Sequence, residues 1–162
     1  MTTFAFAPSI YLPIAIGYFV WGGQALFGFP EETPEVNRTM GMWAVWMPGF
    51  MQFITGIVLL IGLTWFNVFG KGGAPLYMAA LAFTAYGIHW FAMGHRRFIG
   101  ASAQPDAWMA IAFFVLSVLG VVFIAASDVP VAIVFIGLSL IYLSEFPFRF
   151  GFFSMGGRLV AV

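Results

Sequence analysis

LYMAALAFTAYGIHWFAMG, residues 76–94, decides the fold of this protein. The stretch is apolar over a length that suits one crossing of a bilayer, because a hydrocarbon core about 30 Å thick requires roughly 20 residues of helix. It also carries Thr84, Tyr86, His89 and Trp90. At about 100° per residue, Tyr86 and Trp90 fall on the same side of such a helix. The stretch therefore predicts a membrane helix with one aromatic, polar face.

The whole chain has the composition of a membrane protein. Of its 162 residues, 62% are hydrophobic and 7% are charged, and the mean hydropathy is +1.01. A soluble domain carries about 25% charged residues, so this chain cannot cover a globule with a hydrated surface. Its formal net charge is zero, which excludes a nucleic-acid partner, since such a partner requires a clustered basic face.

Five segments are long and apolar enough to span a bilayer, and the sequence predicts an all-α membrane bundle in one transmembrane domain, residues 1–162. The predicted spans cover residues 10–29, 41–66, 76–94, 107–126 and 131–148. In lipid every backbone N–H and C=O must be bonded within its own segment, which leaves helices as the spanning elements. We expect residues 149–162 to form an interfacial tail, and six spans are possible if this tail contains a short helix.

The basic residues predict an orientation with the N-terminus outside and the C-terminus inside. Five spans leave Lys71 alone on one side of the membrane. The other side carries Arg38, Arg96, Arg97, Arg149 and Arg158. Cytoplasmic loops carry an excess of Lys and Arg, so we expect an integral protein of the bacterial cytoplasmic membrane. Arg96 and Arg97 end the third span and are interpreted as lipid headgroup anchors.

Small residues predict close contacts between helices. Gly49 and Gly56 lie seven residues apart on one side of the second span, and Gly87 leaves a notch in the third. The alternative is that these glycines only relieve crowding among 21 phenylalanines. A single bundle of five helices can hardly surround a wide aqueous path without exposing polar groups to lipid, so we expect an oligomer.

His89 and Gln52 lie deep inside predicted spans, and each has two interpretations. Ionisable groups in a membrane are costly and mark functional sites, so His89 is a candidate pore or ligand residue. The structural alternative is a neutral histidine bonded to a neighbouring hydroxyl or carbonyl. Gln52 is either a clasp between helices or a ligand donor, because a buried amide requires a partner.

Arrangements typical of enzymes and of cofactor sites are absent from the sequence. It contains no Ser-His-Asp set in plausible register, no paired carboxylates at helical spacing and no glycine loop that binds phosphate. No second mid-span histidine is available to provide the opposite axial ligand of a haem. We therefore expect no enzymatic activity, no metal and no cofactor.

Two motifs resemble signatures of a transporter family. FTAYG at residues 83–87, followed by Trp90, resembles the Phe-Thr-Ser-Tyr-Gly-x-Phe-Trp signature of the acetate/succinate permease family (AceTr). The pattern Gly-x-x-Gln-x-x-x-Gly at residues 49–56 resembles the helix that precedes this signature in the family. The resemblance implies uptake of small monocarboxylates or dicarboxylates by homohexamers, in which each protomer surrounds a narrow pore with an aromatic constriction.

The resemblance also implies roles for particular residues. Tyr86 would line the constriction, Gln52 would lie near the anion path, and Thr84 would supply a further neutral donor. An aromatic residue of the first span, Tyr18 or Phe19, would close the constriction. His89 and Trp90 belong to the same predicted path.

Two functions from different classes remain open. The first is a transporter or channel protomer for small carboxylates such as acetate or succinate. The second is a non-catalytic accessory subunit of a larger membrane complex, which the short chain and its 20% aromatic content favour. A binder of lipid, quinone or pigment is a third interpretation, for which the aromatic residues are permissive.

Overall fold

A computed structural model describes residues 7–67 and 73–150, and these residues form five helices. The helices are α1 Ala7–Phe27, α2 Pro34–Phe66, α3 Gly73–Ile99, α4 Asp106–Ile124 and α5 Val129–Arg149. No strand occurs in either described range. The predicted all-α bundle is confirmed. The predicted tail, from residue 151 onward, lies outside the described residues.

Four of these helices, α2 to α5, are long and apolar enough to cross a membrane. The apolar segment of α1, Leu12–Phe27, is shorter than these four. Large apolar side chains cover the outer faces of the bundle; Trp46 is 68% exposed and Leu140 is 61% exposed. Such a surface suits contact with lipid and is too extensive for a monomer in water.

The second helix begins earlier than predicted, at Pro34 instead of residue 41. Thr33 caps it, because its side-chain oxygen accepts a hydrogen bond from the Val36 N–H at 3.2 Å. Pro34 occupies the first turn, where its missing N–H costs nothing, and Glu35 complements the helix dipole. With 33 residues, α2 is about 50 Å long, so its first turns extend beyond the hydrocarbon core.

The third helix ends later than predicted, at Ile99 instead of residue 94. Gly100 terminates it with φ +70°, a left-handed conformation that glycine adopts without steric cost. Arg96 and Arg97 therefore lie on the last turns of α3, and the helix directs them toward neighbouring helices.

Pro48 lies inside α2 and is accommodated by π-helical turns over Val45–Gly49. There the Phe50 N–H bonds the Val45 carbonyl, five residues back, which avoids the clash of a proline ring with the carbonyl four residues back. α1 crosses α2 at this point. A Cβ on Gly17 would lie 2.9 Å from Cγ of Pro48, so the backbone of α1 packs directly on the proline ring.

α2 and α3 pack antiparallel through glycines. A Cβ on Gly94 would lie 2.6 Å from the Gly41 carbonyl oxygen, and a Cβ on Gly41 would lie 2.7 Å from the Phe98 nitrogen. Both obstacles are backbone atoms, which cannot move aside as a side chain can. The contact therefore requires glycine on both helices.

The three glycines that the sequence singled out lie in the same interface. A Cβ on Gly87 would lie 2.7 Å from Cα of Phe53, and a Cβ on Gly56 would lie 2.9 Å from the Ala80 carbonyl oxygen. A Cβ on Gly49 would meet the Phe91 ring at 2.8 Å. These contacts bring the two motif helices, 49–56 and 83–90, against each other.

Nine of the twelve charged residues gather at one end of the bundle, here called the charged end. Alternating helices place the last residues of α1, α3 and α5 and the first residues of α2 and α4 at this end. It carries Glu31, Glu32, Glu35, Arg38, Arg96, Arg97, Asp106, Glu145 and Arg149. Asp128, in the turn between α4 and α5, lies at the opposite end.

Candidate functional site

A cavity of about 310 Å³ lies at the charged end, between α1, α3 and α5. α1 packs mainly on α2, and α5 packs mainly on α4, so α1 and α5 stand on opposite sides of the cavity with α3 behind it. Its rim consists of five of the charged residues: Glu32, Arg96, Arg97, Glu145 and Arg149. Aromatic side chains, here called the aromatic floor, form its deeper wall: Tyr18, Trp21, Trp90 and Tyr142.

The aromatic floor is a packed set of rings. The Trp90 ring is 2% exposed and meets two rings of α1 edge to face, with centroid distances of 5.2 Å to Tyr18 and 5.3 Å to Trp21. Tyr18 from α1 and Tyr142 from α5 both line the cavity.

His89 lies on the cavity wall and is 2% exposed. Its ring centroid lies 4.3 Å from that of Phe113 and 5.8 Å from that of Tyr142. Neither ring nitrogen has a hydrogen-bond partner among the described residues. Buried polar atoms are costly when unpaired, and both nitrogens are themselves buried. The hydroxyl or carbonyl partner of the structural alternative does not occur in the described part of the chain.

Arg97 is held in the cavity rim by neutral groups. Its Nε and Nη2 donate hydrogen bonds to Oδ1 of Asn37 at 3.0 and 2.8 Å, and Nη2 also donates to Oε1 of Gln24. Its guanidinium carbon lies 4.8 Å from the centroid of the Trp21 ring. Within residues 7–67 and 73–150, no carboxylate lies within 4.0 Å of Arg97. The guanidinium is therefore held by neutral groups, and the carboxylate of Glu32 stabilises its charge from beyond 4.0 Å.

The two other arginines of the rim are neutralised. Nε of Arg96 lies 2.9 Å from Oδ2 of Asp106, and Nη1 of Arg149 lies 3.5 Å from the same oxygen. Arg149 also donates from Nε to Oε1 of Glu145 at 2.6 Å. This ion-pair cluster joins the ends of α3, α4 and α5. Arg96 and Arg97, interpreted from the sequence as headgroup anchors, thus both have partners inside the protein.

Tyr86 lies behind the aromatic floor, in the core between α3, α4 and α5, and is 3% exposed. Ser117 donates its single hydroxyl proton to the Phe113 carbonyl at 2.7 Å, so Tyr86 is the donor in the 2.7 Å bond between the two hydroxyls. The Tyr86 ring is parallel to the Tyr142 ring, with centroids 6.2 Å apart. Tyr86 is therefore linked to the cavity through Tyr142.

Three further residues of the predicted path lie away from the cavity. Thr84 donates to the Ala80 carbonyl of its own helix at 2.8 Å. Gln52 is 1% exposed, and neither its amide nitrogen nor its amide oxygen has a partner in the described residues. Phe19 is 81% exposed and faces outward. The members of the predicted path that line the cavity are Tyr18, His89 and Trp90.

The sequence did not connect Gln24, Asn37 and Trp21 with Arg97. Asn37 lies 60 residues and Gln24 lies 73 residues from Arg97 along the chain, so no local spacing indicates the contact. The one available signal was a glutamine and a tryptophan near the end of a predicted span, opposite a basic helix end. Such a pattern also fits residues at a lipid interface.

The fold and the cavity define an integral membrane helical bundle with a cationic rim and an aromatic floor. No family model, no curated protein and no solved structure matches the chain. The resemblance to the acetate/succinate permease family therefore rests on the motifs at residues 49–56 and 83–90.

Proposed function

We propose that this chain is a protomer of a transporter or channel for small carboxylates in the bacterial cytoplasmic membrane. The observation that carries the proposal is Arg97, a cation without a carboxylate partner among the described residues, on the rim of a cavity that runs into the bundle. Guanidinium groups are the preferred partners of carboxylates in proteins. The Nη1 nitrogen of Arg97 has no partner in the described part of the chain and retains two N–H donors.

The cavity provides a sequence of contacts for an anion. A carboxylate that enters at the charged end meets Arg97 first, and the buried side chain of His89 lies deeper on the same wall. The rings of the aromatic floor form the deeper wall of the cavity. Passage across the membrane then requires α1 and α5, which carry Tyr18 and Tyr142, to separate. Few polar contacts keep the binding weak enough for release.

A second candidate is an accessory subunit of a larger complex, and one observation favours it. The outer face of α2 carries a groove of about 470 Å³ that is apolar and suits a helix of another subunit. Its walls are Met42, Trp43, Trp46, Met47 and Met51. A homo-oligomer, which the resemblance implies to be a hexamer, would fill the same groove with a copy of this chain.

Transport of labelled acetate and succinate into liposomes tests the first function. Wild-type protein is expected to exceed empty liposomes, and Arg97→Gln is expected to lower the flux about tenfold or more, since hydrogen bonds to charged groups contribute about 1.5–3 kcal/mol. Arg38→Gln is the matched control, because Arg38 is an exposed arginine of the charged end outside this cavity. Flux equal to that of empty liposomes from a folded preparation would overturn the proposal.

Isolation in mild detergent separates the two candidates. Homo-oligomers of this chain support the transporter. Stoichiometric recovery of unrelated membrane proteins, together with no carboxylate flux, supports the accessory subunit.

A further inference from the structure

We propose that the cavity selects monocarboxylates that carry a flat apolar ring, of the size of benzoate, over acetate and over dicarboxylates such as succinate. This inference rests on the proposed function and specifies its substrate class. Three features of the cavity support it: the pairing of the charged residues at the rim, the volume of the cavity, and the aromatic inner wall.

At the rim, Arg97 is the arginine that no carboxylate of the described residues contacts within 4.0 Å. It is held by the neutral groups of Asn37 and Gln24, whereas Asp106 and Glu145 pair with Arg96 and Arg149. A ligand with one carboxylate therefore finds one arginine to pair with. The cavity wall also contains the carboxylate of Glu32, which repels a ligand with two negative charges more strongly than a ligand with one.

The inner wall does not suit a second carboxylate either. A succinate held at Arg97 by one end would direct its other end toward Tyr18, Trp21 and Trp90. These rings contact one another, and Trp90 is 2% exposed, so a carboxylate there would lose its water without gaining a cation. Burial of an unpaired charge is among the most costly events in a protein.

The size of the cavity favours a ligand larger than acetate. A volume of about 310 Å³ is at the lower end of ligand pockets in proteins, and it corresponds to roughly ten water molecules at about 30 Å³ each. Acetate would leave most of this space to water against aromatic walls. A single ring attached to a carboxylate occupies more of it than acetate does and removes more apolar surface from water.

The floor offers contacts that a planar ring can use. Tyr18 and Trp21 meet Trp90 at interplanar angles of 71° and 69°, so faces and edges of rings both occur in this wall. Aromatic rings prefer edge-to-face and offset neighbours.

Calorimetric titration of the purified wild-type protein with benzoate, acetate and succinate tests the inference. The expected Kd for benzoate is at least tenfold lower than that for acetate, and succinate is expected to bind more weakly than benzoate. Trp21→Leu removes one ring of the floor and is expected to bring benzoate within about threefold of acetate, which corresponds to the loss of aromatic contacts.

Trp108→Leu is the matched control. Trp108 is also near the charged end, is 70% exposed and packs on Phe150 outside the cavity, so the preference for benzoate should persist in this variant. Elution of each variant as the wild-type oligomer shows that it is folded.

The outcomes separate this inference from the function on which it rests. Acetate or succinate binding as tightly as benzoate would overturn the ring selectivity, while liposome flux would still support a carboxylate transporter. Persistence of the wild-type preference in folded Trp21→Leu would also contradict the role of the aromatic floor. Absence of binding and of flux for all three acids would overturn both.

Discussion

The guanidinium of Arg97 lies over the ring of Trp21, with its central carbon 4.8 Å from the ring centroid. The contact joins the last turns of α3 to α1 and brings a cation and an aromatic surface into one wall of the cavity. The stem and charge of an arginine in this arrangement are fixed by stacking as well as by hydrogen bonds. A cation that no carboxylate of the described residues contacts within 4.0 Å is a candidate anion site. A substitution that places a carboxylate beside it should neutralise it.

Asn37→Asp is expected to abolish carboxylate binding without unfolding the protein. Oδ1 of Asn37 accepts two hydrogen bonds from Arg97 at 2.8 and 3.0 Å, so an aspartate of the same shape would form an ion pair with it. Affinity for benzoate or acetate should fall at least tenfold, while the midpoint of thermal unfolding stays equal or rises. Thr39→Asp adds the same charge at an exposed position of the same helix and should lower affinity only slightly. Equal losses in both variants would contradict a specific role for Arg97.

The Tyr86–Ser117 hydrogen bond predicts that Tyr86→Phe and Ser117→Ala lower the stability of the fold by different amounts. Tyr86→Phe removes the donor and should cost about 1 kcal/mol, because Ser117 keeps its bond to the Phe113 carbonyl. Ser117→Ala leaves the buried Tyr86 hydroxyl unpaired and should cost about 1–3 kcal/mol. The double variant should be less stable than wild type by less than the sum, with a coupling of about 0.6–1.7 kcal/mol. Additive losses in thermal unfolding would show that the bond contributes nothing.

The Gly41–Gly94 contact predicts that one added methyl group at this point would force α2 and α3 apart. A Cβ at position 41 would lie 2.7 Å from the Phe98 nitrogen and 3.0 Å from its Cα, so Gly41→Ala should cost about 1–3 kcal/mol through overpacking. For a chain of this length, each kcal/mol lowers the unfolding midpoint by about 2–4 °C. Gly23→Ala is the control, because a Cβ there meets nothing within 4 Å, and its midpoint should be unchanged or slightly higher. Equal midpoints for the two variants would refute the close approach.

The charged end is predicted to face the cytoplasm, as the basic residues of the sequence indicate. The chain contains no cysteine, so single cysteines can be introduced at exposed positions of opposite ends, Ser102→Cys at the charged end and Ser127→Cys in the turn between α4 and α5. In intact spheroplasts a maleimide that cannot cross membranes should label the second variant and reach the first only after lysis. The reverse pattern would invert the orientation.

The helices could be predicted from the sequence because runs of apolar residues have few alternatives in lipid, where every backbone group must be bonded. The boundaries were less accurate at two places. At Thr33 and Pro34 a capping signal preceded the apolar run, so α2 begins seven residues earlier than hydropathy indicated. At Gly100 the left-handed glycine, and not the basic cluster, ends α3.

The candidate site could be predicted only in part. The sequence predicts His89, Trp90 and Tyr18 as residues of a path because they are polar or aromatic groups inside a span. In the structure all three line the cavity. Gln52 and Thr84 were selected by the same criterion, but they lie away from the cavity. Periodicity along one helix shows which residues share a face, and it does not show which neighbour that face meets.

The sequence by itself determined that the chain is an all-α membrane bundle, with its positive charges concentrated on one side, because both properties depend on composition and order along each segment. Only the tertiary structure decided which of these charges are paired with a carboxylate. Arg96 and Arg97 are adjacent in the chain, yet α4 brings Asp106 to the first, whereas α1 and α2 bring the amides of Gln24 and Asn37 to the second. Neutralisation of a charge depends on distances of a few ångströms between helices, and packing sets those distances.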